Sequence, residues 1–263
     1  MRLHLAGGEI EYDARGRGSV VLFLHAFPLG SFMWDDAAAG LEREHTVVRF
    51  DCRGFGASPP GDGPLSMERI ADDASGLLDH LGLGQAVVIG CSMGGYAAFA
   101  LARRQPDRLR ALVLQNTRAN PDTPEARANR ARLAEQVLKQ GAGVVVDAFL
   151  PRLLGETTQR ERTALVAGLR ERILATPPRG LANALLGLGA RADSTPTLRE
   201  IRVPTLVLGG DEDVLTPPSD MEALARGIAG ARQVVLPRCG HLPSLETPAP
   251  YLGVLREFLA ELG

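Results

Sequence analysis

The chain has 263 residues, 45% of them hydrophobic, which suits one large globular domain or one domain that carries an insertion. With 29 basic and 31 acidic residues, it lacks the basic excess typical of proteins that bind nucleic acids or anionic membranes. It has no run of about 18 apolar residues and no signal-peptide core at MRLHLAGGEIEY, so we expect a cytoplasmic protein with no membrane partner.

Short apolar runs occur at intervals along the chain. The first, from Leu3 to Tyr12, surrounds Gly7-Gly8 and predicts a β-hairpin. Further strands are predicted at 19–25, 46–50, 86–90, 109–114, 205–209 and 233–236. These runs are rich in Val and Leu and mostly continuous, which is typical of strands buried on both faces of a parallel sheet.

Helical patterns alternate with the strands. In the first, Ile70, Ala74, Leu77 and Leu81 recur at helical spacing. The predicted helices span 66–81, 94–104, 219–228 and 248–262. Strands that alternate with helices predict an α/β fold, a doubly wound and mostly parallel sheet.

The alternation stops within 118–195, where no strand is predicted. Helical patterns cover 127–139, 144–154, 158–174 and 181–188, and the first follows a Thr123-Pro124 capping pair. We therefore predict a helical cap or lid at 118–195, inserted into a core formed by 1–117 and 196–263. The insertion is rich in Ala, Leu and Val and poor in aromatic residues, which favours a modest apolar group on the substrate.

A nucleophile motif follows the strand AVVIG. Gly90-x-Ser92-x-Gly94 lies between a predicted strand and a predicted helix, which is the context of a nucleophile elbow. Such a turn is sharp enough to expose the central serine, and the residues two positions away must be small so that the backbones can approach each other. Ser92 is therefore the candidate nucleophile.

A serine nucleophile needs a base and an acid. In this type of elbow the residues follow the chain order Ser, acid, His, and His241 is the one histidine after Ser92. The acid is expected in the loop after TLVLG, where Asp211, Glu212 and Asp213 all compete. The acid beside His241 would fix the tautomer and stabilise the imidazolium, and the other two would be solvated or structural.

An oxyanion hole needs two backbone N–H groups. One comes from the residue after the nucleophile, Met93, and the other from the loop His25-Ala26-Phe27-Pro28, where we predict Phe27. Acyl transfer by these predicted catalytic residues requires no metal or organic cofactor. The cysteines Cys52, Cys91 and Cys239 have no metal-ligand spacing and are expected to be free thiols in a reducing compartment.

Four motifs in order give the chain a recognisable likeness. LHAFPLG, DCRGFGAS, GCSMGG and the pair GDEDVLTPP with CGHLPSLETP resemble the α/β-hydrolase superfamily over nearly the whole chain. Within it the chain resembles the cofactor-free esterases, enol-lactone hydrolases and haloperoxidase-like perhydrolases. The resemblance implies a serine hydrolase that forms an acyl-enzyme on small carboxylic esters or lactones.

The resemblance also bears on individual residues. In this family the triad acid usually stands four residues before a proline, as Asp213 stands before Pro217, which favours Asp213. Ala26 replaces the usual glycine of the first motif and could constrain the backbone at Phe27. DCRGFGAS is expected to be structural, and Glu246 is expected to cap the last helix.

Three alternative functions remain open. A C–C bond hydrolase of ring-cleavage products uses the same triad, as does a perhydrolase, in which hydrogen peroxide accepts the acyl group. A non-hydrolytic ligand-binding protein on the same scaffold is the third. Turnover of an activated aryl ester separates an enzyme from a binding protein, which would release at most one equivalent of product.

Overall fold

A computed structural model describes all 263 residues and contains one eight-stranded sheet. The strands are β1 (Arg2–Leu5), β2 (Gly8–Arg15), β3 (Ser19–Leu24), β4 (His45–Asp51), β5 (Ala86–Cys91), β6 (Leu109–Gln115), β7 (Thr205–Gly210) and β8 (Arg232–Leu236). Their order across the sheet is β1-β2-β4-β3-β5-β6-β7-β8. Every strand predicted from the apolar runs is present, with ends that differ by a residue or a few.

The sheet is mostly parallel, as predicted. β1 and β2 form the antiparallel hairpin, and β2 pairs antiparallel with β4. All remaining pairs are parallel, so Leu22 of β3 lies between Val48 of β4 and Val88 of β5. β5 and β7 are buried along their whole length, which explains their continuous apolar sequences.

Eleven helices surround the sheet. They are α1 (Asp35–Leu41), α2 (Met67–His80), α3 (Met93–Arg104), α4 (Pro124–Gln140), α5 (Gly143–Leu153), α6 (Glu156–Glu161), α7 (Thr163–Leu174), α8 (Pro178–Gly189), α9 (Pro218–Gly227), α10 (Pro243–Glu246) and α11 (Pro248–Ala260). The side chain of Ser66 caps α2, and that of Thr123 caps α4 one residue before Pro124. None of the helices is both long and apolar enough to cross a membrane.

Residues 118–195 contain five helices and no strand, and they connect β6 to β7. The prediction of a single helix over 158–174 is wrong. The chain leaves helical geometry at Arg162 and forms two helices, α6 and α7. The guanidinium of Arg162 donates hydrogen bonds to the carbonyl oxygens of Leu245 and Glu246, at 2.6 and 2.8 Å. These contacts with α10 coincide with the break between α6 and α7, which the helical pattern of the sequence does not show.

The parallel strands end at one edge of the sheet, and the loops that follow them carry the polar residues of interest. β5 leads into Ser92, β6 into Asn116, and β7 into the loop that holds Asp213. His241 follows β8 in the same way. In open α/β sheets, ligands bind at the loops that follow the carboxyl ends of the strands. We therefore expect a functional site at this edge of the sheet.

Candidate active site

Ser92 lies at the sharp turn between β5 and α3. Its backbone has φ 51° and ψ −110°, a left-handed conformation that is unusual for a residue with a side chain. Such a conformation costs on the order of 1–3 kcal/mol and persists where the surrounding structure enforces it. Here the N–H of Ser92 donates to the carbonyl oxygen of Gln115 at 3.0 Å, which ties the turn to the neighbouring strand.

The two glycines of the motif allow this turn to pack. A Cβ atom at Gly90 would lie 2.4 Å from the carbonyl oxygen of Gly94, and a Cβ at Gly94 would lie 2.1 Å from that of Leu24. Both distances are shorter than any real contact of a Cβ atom with backbone. The spacing Gly-x-Ser-x-Gly is therefore a packing requirement of the turn that presents Ser92.

Asp213 and His241 are both buried and in contact with each other. Nδ1 of His241 lies 2.8 Å from Oδ2 of Asp213. An ionised carboxylate can only accept, so Nδ1 carries the proton and the other ring nitrogen, Nε2, is left as an acceptor. This is the tautomer that a general base needs.

Several donors converge on the Asp213 carboxylate. Asn116 Nδ2 donates to Oδ2 at 2.7 Å, and the backbone N–H groups of Leu215 and Thr216 donate to Oδ1 at 2.8 and 3.1 Å. The Thr216 hydroxyl also donates to Oδ2. Burial alone would raise the pKa of Asp213, but His241 and the hydrogen bonds from His241, Thr216 and Asn116 outweigh it and lower the pKa to about 2.

The two competing acids point elsewhere. Asp211 accepts from the backbone N–H of Cys239 at 3.3 Å, which holds two loops together. Glu212 accepts from the N–H of Thr157 at 2.8 Å and from its hydroxyl, so it binds the segment that begins α6. Of the three acids in this loop, Asp213 is the one that hydrogen-bonds His241.

The loop after β3 is fixed by the buried imidazole of His25. Nδ1 of His25 lies 3.0 Å from the carbonyl oxygen of Ala26, and Nε2 accepts from the N–H of Cys52 at 2.9 Å. Burial lowers the pKa of His25, which keeps it neutral and able to accept at Nε2. His25 thus connects the ends of β3 and β4 and supports the turn that carries Phe27.

Two backbone N–H groups near Ser92 have no acceptor in the protein. Met93 is the first residue of α3, and the first N–H groups of a helix lack an intrahelical partner. The N–H of Phe27 makes no backbone hydrogen bond either. Ala26 is accommodated, because its methyl group is buried and its N–H points at the Met33 sulfur, 3.3 Å away.

Glu246 does not cap the last helix as the sequence suggested. Its buried carboxylate accepts from three backbone N–H groups, those of Gly155 at 2.8 Å, Gly240 at 3.0 Å and Leu242 at 2.9 Å. Gly240 and Leu242 flank His241, and Gly155 precedes α6. Glu246 therefore holds the histidine loop and joins it to 118–195.

The motif DCRGFGAS has the structural role that was expected. Asp51 accepts from the N–H groups of Ser31 and Ala57, and Arg53 forms a buried ion pair with Asp73 at 2.6 Å. The three cysteines are free and buried. Burial raises the pKa of the Cys91 thiol, which donates a weak hydrogen bond to the carbonyl oxygen of His241.

A cavity of about 440 Å³ opens beside Ser92 and His241. Phe27, Leu215 and Thr216 line it from the loops after β3 and β7, and most of the remaining lining comes from 118–195. The lining is more polar than the composition of that segment suggests. Besides Leu133, Phe149 and Leu188, the segment contributes four arginines, which are Arg118, Arg130, Arg152 and Arg191. No group of three or more His, Cys, Asp or Glu side chains is placed to hold a metal ion.

Known proteins resemble this chain over nearly its whole length. An esterase from Thermogutta terrifontis, solved with malate bound, superposes with a TM-score of 0.97 at 42% identity, covering 100% of this chain and 99% of that one. The enol-lactonase from Burkholderia xenovorans superposes with a TM-score of 0.92 at 30% identity, covering 99% and 100%. The 3-oxoadipate enol-lactonase 2 of Acinetobacter baylyi is 29% identical over 88% of this chain and 85% of its own length.

The family model for the alpha/beta hydrolase fold matches residues 19–248, which include the elbow, the acid loop and the histidine loop. The sheet order, the elbow at Ser92 and the helices that connect β6 to β7 agree with that match. The chain belongs to the α/β-hydrolase fold family.

Proposed function

We propose that the protein is a serine hydrolase that cleaves small carboxylic esters or lactones through an acyl-enzyme on Ser92. One observation carries the proposal: Ser92, on its enforced turn, lines the same cavity as His241, whose imidazole is bonded to the ionised Asp213. A serine hydroxyl, an imidazole that takes its proton and a carboxylate that holds the imidazole form a catalytic triad. The likeness to an esterase and to enol-lactonases supports ester bonds as the target.

The reaction has two acyl-transfer steps. His241 Nε2 takes the hydroxyl proton of Ser92 as Oγ attacks the carbonyl carbon, and a tetrahedral intermediate forms. The intermediate expels the alcohol, which receives that proton from His241, and leaves an ester on Ser92. Water then loses a proton to His241 and attacks this ester. The second tetrahedral intermediate expels Ser92 Oγ, which takes the proton back from His241, and the acid is released. Asp213 stays ionised and stabilises the imidazolium of each step.

The oxyanion hole is assigned to the N–H groups of Phe27 and Met93. Both lack a protein acceptor, and Phe27 lines the cavity that contains Ser92. An oxyanion formed at Ser92 would accept from both groups, and in known enzymes removing one such donor costs about 3 kcal/mol of transition-state stabilisation. The chemistry uses no cofactor and no metal.

We propose that 118–195 is a cap on a core of 1–117 and 196–263. This segment supplies most of the cavity lining, from α4, α5, α8 and the loops beside α4 and α8. Glu212 ties its chain at Thr157 to the acid loop, and Glu246 ties it at Gly155 to the histidine loop. A cap of this kind determines which esters reach Ser92.

The test is Ser92→Ala assayed on a panel of activated esters, lactones and diketones with graded chain length. Loss of the nucleophile costs roughly a millionfold in kcat in a serine protease, so turnover should vanish while the fold persists. A fluorophosphonate probe should label Ser92 in the wild-type protein. Ser244→Ala is the matched control, because Ser244 is a buried serine near His241 whose hydroxyl has no partner. That variant should keep its activity.

Two results would contradict the proposal. One is hydrolysis by Ser92→Ala above about one per cent of the wild-type rate, because a lost nucleophile removes far more than this. The other is a probe adduct on a different residue. Turnover of diketones in preference to esters would move the assignment to C–C bond hydrolysis with the same triad.

A further inference from the structure

The cavity beside Ser92 has an excess of positive charge that the chain as a whole does not have. The full sequence is nearly balanced, with 29 basic and 31 acidic residues. The cavity lining, in contrast, contains four arginines and one carboxylate, that of Asp122. The charge available to a ligand depends on which carboxylates the four arginines already bind.

Two of the four arginines share Asp122. Arg130 Nε and Arg191 Nη1 each lie 2.5 Å from its carboxylate. Arg191 is buried over the ring of Tyr96 and also donates to the carbonyl oxygens of Asn120 and Leu188, so it holds the segment in place. The single hydrogen bond of Arg130 uses Nε, which leaves the two terminal nitrogens of its half-buried guanidinium free.

The other two arginines differ from each other. Arg118 is neutralised by Asp220, 3.0 Å away, and donates to the carbonyl oxygen of Leu215. Arg152 has no carboxylate partner, and its side chain donates only to the carbonyl oxygen of Ala148 in its own helix. Four guanidinium groups therefore face two carboxylates, those of Asp122 and Asp220, which leaves two positive charges uncompensated, one shared by Arg130 and Arg191 and one on Arg152.

We propose that the substrate is an ester or lactone that carries a carboxylate away from the scissile carbonyl, and that Arg130 and Arg152 bind this carboxylate. The inference rests on the proposed function, since it places the scissile carbonyl at Ser92. Guanidinium groups match a carboxylate with two parallel N–H donors, and such charge-assisted bonds are stronger than neutral ones. A cavity of about 440 Å³ fits a small substrate of this kind.

The experiment compares two substrates that differ in one charge. 4-Nitrophenyl hydrogen adipate carries a free carboxylate, and 4-nitrophenyl methyl adipate has the same acyl chain and leaving group with that carboxylate methylated. After subtraction of the rate without enzyme, kcat/KM should be about tenfold higher for the anionic ester, mainly through KM, which is the size expected for one hydrogen bond to a charged group.

Variants assign the effect to the two arginines. Arg152→Gln and Arg130→Gln should each lower the ratio of the two kcat/KM values by several fold, and the double variant should bring the ratio close to one. Asp122 keeps Arg191 as a partner in Arg130→Gln, and Arg152 is exposed, so both variants should fold. Arg170→Gln is the control, because Arg170 lies exposed on α7 outside the cavity, and it should preserve the wild-type ratio.

Equal kcat/KM values for the two esters in the wild-type protein would overturn this inference and leave the proposed function intact. A preference for the anionic ester that survives in the double variant would also overturn it, because other groups would then recognise the carboxylate. Both the proposed function and the inference fail if the wild-type protein hydrolyses neither ester. They also fail if Ser92→Ala hydrolyses the esters as fast as the wild-type protein does.

Discussion

At the scale of single residues, Asp213 is held by more hydrogen bonds than its role as a partner of His241 alone requires. Asn116, Thr216 and two backbone N–H groups fix its carboxylate. In Asp213→Asn an amide NH₂ can donate to Nδ1, so the ring proton moves to Nε2, which can then no longer accept from Ser92. We expect kcat to fall by about 10⁴ with little change in KM, as in a serine protease with the same substitution. Steady-state kinetics on an activated ester measures this.

Asp211→Asn provides the comparison. Asp211 lies in the same loop, but its carboxylate accepts from the N–H of Cys239 rather than from His241. This variant should keep its activity to within about tenfold, which corresponds to roughly 1.4 kcal/mol of activation free energy. If Asp211→Asn were inactive and Asp213→Asn active, the acid would lie two residues upstream.

The motifs predict Ser92 as nucleophile and His241 as base, and location alone does not choose the acid, so the spacing to Pro217 is what favours Asp213. In the structure the loop after β7 brings Asp213 to His241, in agreement with that spacing, and it brings Asp211 to Cys239 and Glu212 to Thr157. Asn116 was missed, although a polar residue directly after a buried strand at this edge of the sheet is a usable signal. His25 was excluded as a base by chain order, and its supporting role depends on a contact with Cys52 that the sequence does not show.

At the scale of elements, the strands were predictable and the helices of 118–195 only partly so. A strand buried on both faces has an apolar sequence that few other structures share. The helical pattern across 158–174 continues through Arg162, where contacts with the carbonyl groups of Leu245 and Glu246 coincide with the break into two helices. Helix α1 (Asp35–Leu41) was missed because seven residues are too few to show a period.

Glu246 links two elements that the sequence keeps far apart. Its carboxylate binds the N–H groups on both sides of His241 and that of Gly155 in the proposed cap. In Glu246→Gln one oxygen becomes an NH₂ group that faces buried N–H donors, and an unsatisfied buried donor costs about 1–3 kcal/mol. We expect the free energy of unfolding to fall by about this amount and kcat to fall as His241 loses its support. Urea unfolding and ester kinetics measure the two effects.

Glu257→Gln is the matched control for Glu246→Gln. Glu257 lies on α11 with an exposed side chain, and its one ion pair is with Arg232 at the surface. Surface ion pairs contribute about 0–1 kcal/mol, so this variant should resemble wild type in both measurements. Wild-type stability and kcat in Glu246→Gln would show that backbone packing, and not the carboxylate, holds the histidine loop.

At the scale of the whole molecule, the candidate site and the stability of the fold are coupled through the ionisation of Asp213. The pKa of this carboxyl is about 2 in the folded protein, against an ordinary value of 3.8. The unfolded chain therefore binds a proton more readily than the folded one between these values, and stability falls as the pH falls. The contribution of Asp213 is complete above about pH 4 and is lost progressively towards pH 2.

This loss should be visible in the stability of the entire domain. The shift corresponds to about 2 kcal/mol, because one pKa unit is about 1.4 kcal/mol of differential interaction. Between pH 5 and pH 2, the free energy of unfolding of the wild-type protein should therefore decrease by about 2 kcal/mol more than that of Asp213→Asn, which has no proton to gain at this position. Urea unfolding at the two pH values measures this difference. Other carboxyl groups contribute to both proteins and cancel in the comparison, and Asp211→Asn should keep the wild-type decrease. Equal decreases in wild type and Asp213→Asn would mean that the hydrogen bonds from Asn116, Thr216 and His241 do not favour the ionised carboxylate in the folded protein.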